Sequence, residues 1–99
     1  MPWIGQPSRR NILAYKVEII RTARKQILSF PKEAQSEIAL TIDALMNNPR
    51  PSGCKKLRST ALWRLRVRHY RVVYAVDDKA LLVTVLKVAM RSEGTYQGL

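Results

Sequence analysis

From residue 63 to residue 68 the chain reads WRLRVR, an apolar side chain and an arginine in turn. A period of two is the repeat of a strand, whose successive side chains point to opposite faces. Such a ribbon has one face for a core and one for water, and a slip of one residue would turn every arginine inward. A second run, YRVVYAV, starts at Tyr70, with only Arg68 and His69 between the two. Two residues suffice for a hairpin turn. Val67 then pairs with Tyr70, Arg66 with Arg71, Leu65 with Val72, Arg64 with Val73 and Trp63 with Tyr74. Directly paired residues share a face. Trp63, Leu65, Val67, Tyr70, Val72 and Tyr74 form an apolar face that helices must cover, and Arg64, Arg66 and Arg71 meet on the open one.

No acidic residue lies between Arg50 and Arg71, whereas Lys55, Lys56, Arg58 and Arg68 add to the positive charge there. The whole chain carries +11 with a pI near 10.6. An excess of that size points to nucleic acid, an acidic protein or an anionic membrane surface. Arg66 directly opposite Arg71 is a local cost, because like charges paired across a sheet destabilise it. An anion offsets that cost, and the planar fork of arginine suits phosphate. The plainer reading is a solvated face whose arginines splay into water.

The remaining pattern places this hairpin in a layered fold. Residues 15–20 alternate and are rich in β-formers, which predicts a first strand. Thr22 is a candidate N-cap for a short helix through Ser29. Pro31 suits the first position of a second helix running to about Asn47, where Asn48-Pro49 stops it. Ile38, Ile42, Leu45 and Met46 recur at helical spacing and predict its core stripe. Short strands are expected over 56–58, 61–67 and 70–76, with a turn at Asp77-Asp78-Lys79. Residues 81–88 (LLVTVLKV) are nearly all apolar, which predicts a central strand buried on both faces. Helices followed by strands argue an α+β fold: two N-terminal helices packed on one face of a small, twisted, mainly antiparallel sheet. At 99 residues one domain is expected, over 14–99, preceded by a loose arm over 1–13.

Several chemistries find no residues to carry them. Cys54 is the single cysteine, which excludes an internal disulfide and a cysteine metal cluster. His69 is the single histidine, which excludes a two-histidine acid–base pair and is read as a turn residue tolerant of positive φ. No metal-ligand spacing, glycine-rich phosphate loop, nucleophile elbow or paired-carboxylate site is visible, so neither metal nor cofactor is expected. No segment is long and apolar enough to span a bilayer, and no export signal is visible, so the expected compartment is the cytoplasm. An enzyme built from these residues works through positive charge, which phosphoryl transfer permits.

Three segments together carry a family pattern: NPRPSGCKKLR from Asn48, LWRLRVRHYRVVYAV from Leu62 and KVAMRSEGTY from Lys87. Over residues 15–96 the chain resembles the RelE toxins of the bacterial RelE/ParE superfamily. The resemblance implies two helices on a small antiparallel sheet. It also implies a toxin that enters the ribosomal A site and cuts messenger RNA there, by attack of the 2′-hydroxyl on the adjacent phosphate. The implied partners are the ribosome with its message and a cognate, usually acidic, antitoxin, and the pair can assemble into a higher-order hetero-oligomer. By position, Arg64 and Arg66 occupy basic strand sites that are often lysines in relatives. Arg71 matches the arginine that holds the scissile phosphate, and Arg91 the one that stabilises the transition state or leaving group. Tyr96 matches a tyrosine that stacks on the attacked nucleotide. Lys55, Lys56, Arg58 and Arg68 are candidates for further phosphate contacts. Arginine is a poor general base. The proton acceptor therefore stays open between Tyr96, His69 and a ribosomal group. Two other readings are a ParE-like inhibitor that binds DNA gyrase, and an RNA-binding module that cuts nothing.

Overall fold

The alternating runs become the middle of one sheet. The computed structural model describes residues 14–90, in the order β1 (Lys16–Ile19), α1 (Arg21–Leu28), α2 (Lys32–Ala44), β2 (Lys55–Lys56), β3 (Leu62–Val67), β4 (Tyr70–Asp77) and β5 (Leu82–Met90). The predicted arm, Arg91 and Tyr96 lie outside the described residues. The sheet order is β1-β5-β4-β3-β2. All neighbours are antiparallel except β1, which runs parallel to β5 at the edge. The helices carry the chain from one sheet edge to the other and cover one face on the way. The fold is the expected α+β layer.

Hairpin β3–β4 has the register that alternation predicts, with Arg66 opposite Arg71 and Trp63 opposite Tyr74. Its apolar face packs with Ile38 and Ile42 of α2, Leu45 at the C-cap of that helix and Ala23 of α1 into one core, joined by Val83, Val85 and Val88. Each fully buried Ile, Leu or Val contributes about 1.5–3 kcal/mol relative to exposure. Phe30, between the helices, sets its ring 4.5 Å from that of Tyr70 and so holds the helical hairpin to the sheet. Gln35 donates to the carbonyls of Phe30 (2.8 Å) and Leu28 (3.3 Å), satisfying acceptors left over at the end of α1.

Several expectations are corrected. The N-cap of α1 is Ile20, not Thr22, and it makes no side-chain cap bond. Tertiary position overrides capping preference here, because the Ile20 amide bonds to Val85 and fixes where the strand ends. Pro31 is the N-cap of α2 rather than its first residue, and that helix ends at Ala44. Met46 falls beyond that end and is 39% exposed, so only three of the four stripe residues reach the core. Trp63 lies on the core side near the sheet edge and is half-buried, whereas Tyr74 is wholly buried. β5 is an interior strand, flanked by β1 and β4 as the apolar run predicts, but it fully buries one face only: Val83, Val85 and Val88 point to the core. Among the described residues, the helices pack on one face of the sheet only.

Candidate nucleic-acid interface

Arg64, Arg66 and Arg71 share the face of β3–β4 that lies away from the helices. Arg66 is exposed, while Arg64 and Arg71 are half-buried with their Nε atoms shielded from solvent. Lysine stems and arginine stems that lie along a sheet bury their carbons and leave the charged end toward water. Lys55 pairs with Arg64 and extends the same face to the edge strand. Lys56, by contrast, pairs with Trp63 and so belongs to the helical side. Arg58 is exposed in the loop between β2 and β3.

The ladder between β4 and β5 shifts register between Val73 and Tyr74: Val73 pairs with Lys87, while Tyr74 pairs with Val85. Leu86 is thereby an extra residue opposite β4. A bulge of this kind resets which side chains point where. Without it, Lys87 would follow Val83 and Val85 into the core. With it, Val88 takes the core position and Lys87 stands exposed on the arginine face. The Val88 amide donates to Gln26 Oε1 of α1 at 2.8 Å, which pins the strand just after the bulge. Lys87 is a residue of this face that periodicity misses. The one signal for it is a lone charge in an otherwise apolar run.

The face is polarised along the strands. At the hairpin end stand Arg64, Arg66, Arg71, Lys55 and Lys87, with Val73 and Ala89 as its small apolar floor. Toward the other end the floor becomes Leu62, Ala75 and Thr84, and Glu18 of β1 pairs beside Thr84. Glu18 also meets Lys16 at 3.6 Å. Anions are thus drawn to one end only.

Two basic residues of the same sequence stretch serve the fold instead. Arg50 grips Asp78 of the β4–β5 turn through both carboxylate oxygens (3.3 and 2.8 Å) and lies 5.2 Å from the Trp63 ring centre. Tyr15 donates to the same Asp78 carboxylate at 2.6 Å. These contacts hold the Asp78 carboxyl below the usual carboxylate range, with the Arg50 bond the largest cause and the Tyr15 bond the next. Alongside, the Tyr74 hydroxyl donates to the Pro49 carbonyl at 2.7 Å, and burial pushes its ionisation well above that of free tyrosine. Arg68 pairs through Nε with Glu37 of α2 and so leans toward the helical side. It is Arg68, not His69, that adopts positive φ (57°) at the hairpin tip. His69 lines a cleft of about 140 Å³ with Pro31, Glu33, Ala34 and Glu37 of the helical layer. It is therefore turned away from the arginines.

No helix among the described residues is long and apolar enough to cross a membrane. Among the described residues no cluster of His, Cys, Asp and Glu could hold a metal ion.

Comparison with known proteins agrees with this architecture. A family model described as the ParE toxin of type II toxin–antitoxin systems, parDE, matches residues 17–94. The chain is 36% identical over 81 residues to "Toxin RelE" of Mycobacterium tuberculosis, covering 79% of this chain and 82% of that one. Among solved structures, the archaeal RelE-RelB complex from Pyrococcus horikoshii superposes with a TM-score of 0.73 at 30% identity, over 81% of this chain and 98% of that one. The RelBE2 toxin–antitoxin complex of M. tuberculosis gives 0.72 at 26% identity, over 79% and 99%.

Proposed function

The chain belongs to the RelE/ParE superfamily as a toxin of a type II toxin–antitoxin system, and from that membership we propose that it is a ribosome-dependent endoribonuclease. The observation that carries this reading is the meeting of Arg64, Arg66 and Arg71 on the sheet face opposite the helices. Its substrate is messenger RNA in the ribosomal A site. The 2′-oxygen loses its proton and attacks the adjacent phosphorus, the bond to the 5′-oxygen breaks, the departing oxygen takes a proton from solvent, and a 2′,3′-cyclic phosphate and a 5′-hydroxyl result. Negative charge grows on the phosphoryl oxygens and on the leaving oxygen as this happens, and fixed cations stabilise it.

Arg71 holds the scissile phosphate, with its half-buried stem limiting where the guanidinium can go. Arg66, directly opposite, and Arg64 supply further charge to the same phosphoryl group. Arg91 follows Met90, the last residue of β5, and takes the leaving oxygen. Tyr96 stacks on the attacked nucleotide, which an aromatic ring does without reading the base. Lys55 contacts a neighbouring phosphate. Arginine keeps its proton at working pH, and His69 is turned to the helical side. The proton of the 2′-hydroxyl therefore goes to Tyr96 or to a ribosomal group. The cell keeps the toxin harmless with a cognate antitoxin, the partner type seen in the RelE-RelB complex. The site of action is the cytoplasm.

The match to the ParE model favours one other reading, inhibition of DNA gyrase by binding. One experiment separates the two. After brief induction, message ends are mapped by primer extension on translated and untranslated forms of one transcript, beside a supercoiling assay with purified gyrase. New ends in the translated form alone are expected. Intact messages with blocked supercoiling would replace the nuclease reading with the gyrase one.

A further inference from the structure

The bulge in β5 places a lysine where the sheet already gathers arginines. Lys87 pairs with Val73, which pairs with Arg64, so the three stand in one row across β5, β4 and β3. Ala89, two residues on, pairs with Arg71. Lys87 is therefore the diagonal neighbour of Arg71, within reach of its long side chain in a ladder of this type. Among the described residues, the floor between the two is Val73 and Ala89. Lys87 is exposed and enters no ion pair with another described residue. No acidic side chain shares its row or the Arg71 row. Lys87 adds positive charge beside these arginines on the face opposite the helices, held there by a bulge that α1 pins through Gln26, and an anion reaching that face offsets the added repulsion.

We propose that Lys87 is a phosphate-contacting residue of the toxin, which with Arg71 brackets one backbone phosphate of single-stranded RNA. The RNA backbone then crosses the strands from Lys55 at one edge toward β5, over the Val73 floor. The identity of the ligand rests on the nuclease reading, whereas the anion contact rests on register and charge. Lys87 acts as a point charge, so arginine can replace it. Its role is to seat the strand and not to move a proton.

The test uses the full chain, freed of its antitoxin, and a short oligouridylate as probe. Binding is followed by fluorescence anisotropy over a range of salt concentrations for wild type, Lys87→Gln, Lys87→Arg and Lys79→Gln, with melting curves as a check on folding. Lys79 lies exposed in the β4–β5 turn and controls for net charge alone. The expected result is that Lys87→Gln lowers the slope of log K against log salt by about 0.7, the value of one single-strand phosphate contact. Lys79→Gln should lower it distinctly less, and Lys87→Arg should keep the wild-type slope. An unchanged slope in Lys87→Gln, or no salt-dependent binding by wild type, would overturn the proposal. So would loss of cleavage in Lys87→Arg with binding intact, which is the mark of proton transfer. If Lys87→Gln lowers the slope while wild type cuts no message, the contact stands and the nuclease reading alone fails.

Discussion

Arg66 and Arg71 face each other across the β3–β4 ladder, two like charges at one register position on the face opposite the helices. Pairing of that kind costs folding stability. Replacing the exposed member removes the cost. Arg66→Thr should raise the melting temperature at low salt, and the gain should shrink as salt screens the wild-type repulsion. It should also weaken growth inhibition. A variant less stable than wild type at every salt concentration would show that the two guanidinium groups are not repelling each other.

Arg71 pairs with the exposed Arg66 on one side and the small Ala89 on the other, on the face of the sheet opposite the helices. Loss of one preorganised charge donor costs about 10²–10³ in turnover. Arg71→Ala and Arg91→Ala should each abolish growth inhibition, while antitoxin binding and the fold remain nearly intact. The check is toxicity on induction beside co-purification with the antitoxin. Full toxicity in both variants would count against the nuclease reading.

The aromatic pair Trp63 and Tyr74 shares a register position but not an environment. Tyr74 is wholly buried and bonds the Pro49 carbonyl, whereas Trp63 is half-buried under Arg50. Tyr74→Ala should therefore cost about 3–5 kcal/mol, the range for truncating a core aromatic. Tyr74→Phe should cost about 1 kcal/mol, the net value of one hydrogen bond. Trp63→Ala should cost clearly less than Tyr74→Ala. Chemical denaturation of the three variants checks the order.

How much of this was legible depends on where phase is carried. In β3 and β4 polar and apolar residues alternate, so register, faces and the arginine cluster all follow from the residues. In β5 the run LVTVLKVAM is apolar on both phases, and nothing in it marks Leu86 as the extra residue. The bulge and Lys87 follow from three-dimensional packing, because Val85 and Val88 both find core positions and α1 supplies Gln26. Charge was legible as a total and not as an address. Arg50 reads like the basic residues that follow it, yet its partner is Asp78, across a turn that sequence treats as separate. Arg68 likewise finds Glu37 on α2. The parallel pairing of β1 with β5 joins the two ends of the described chain, a contact that local pattern does not encode.

Asp78 gives the fold an acid-sensitive tie. Its carboxyl ionises below the ordinary value of an aspartate, because the charged form accepts bonds from Arg50 and Tyr15. A depressed folded value means that this contribution is complete above the unfolded value, near 3.9, and is lost as pH falls through the folded one. Asp78→Asn should therefore lower stability at neutral pH and flatten the acid limb of the stability curve. Thermal melts from neutral to strongly acidic pH check this, and parallel curves for the two proteins would mean that Arg50 holds Asp78 no more tightly than water does.

Arg68 carries a left-handed backbone and an ion pair with Glu37, and the two act in opposite directions. A non-glycine residue at positive φ costs roughly 1–2 kcal/mol, which glycine avoids at the expense of a floppier unfolded chain. An exposed ion pair contributes about 0–1 kcal/mol. Arg68→Gly alone should thus be nearly neutral. In a Glu37→Gln background, where no ion pair remains to lose, the same change should stabilise by about 1 kcal/mol. Denaturant midpoints for the four proteins of this cycle separate the strain from the pair. Equal effects of Arg68→Gly in both backgrounds would leave the ion pair without any share in stability.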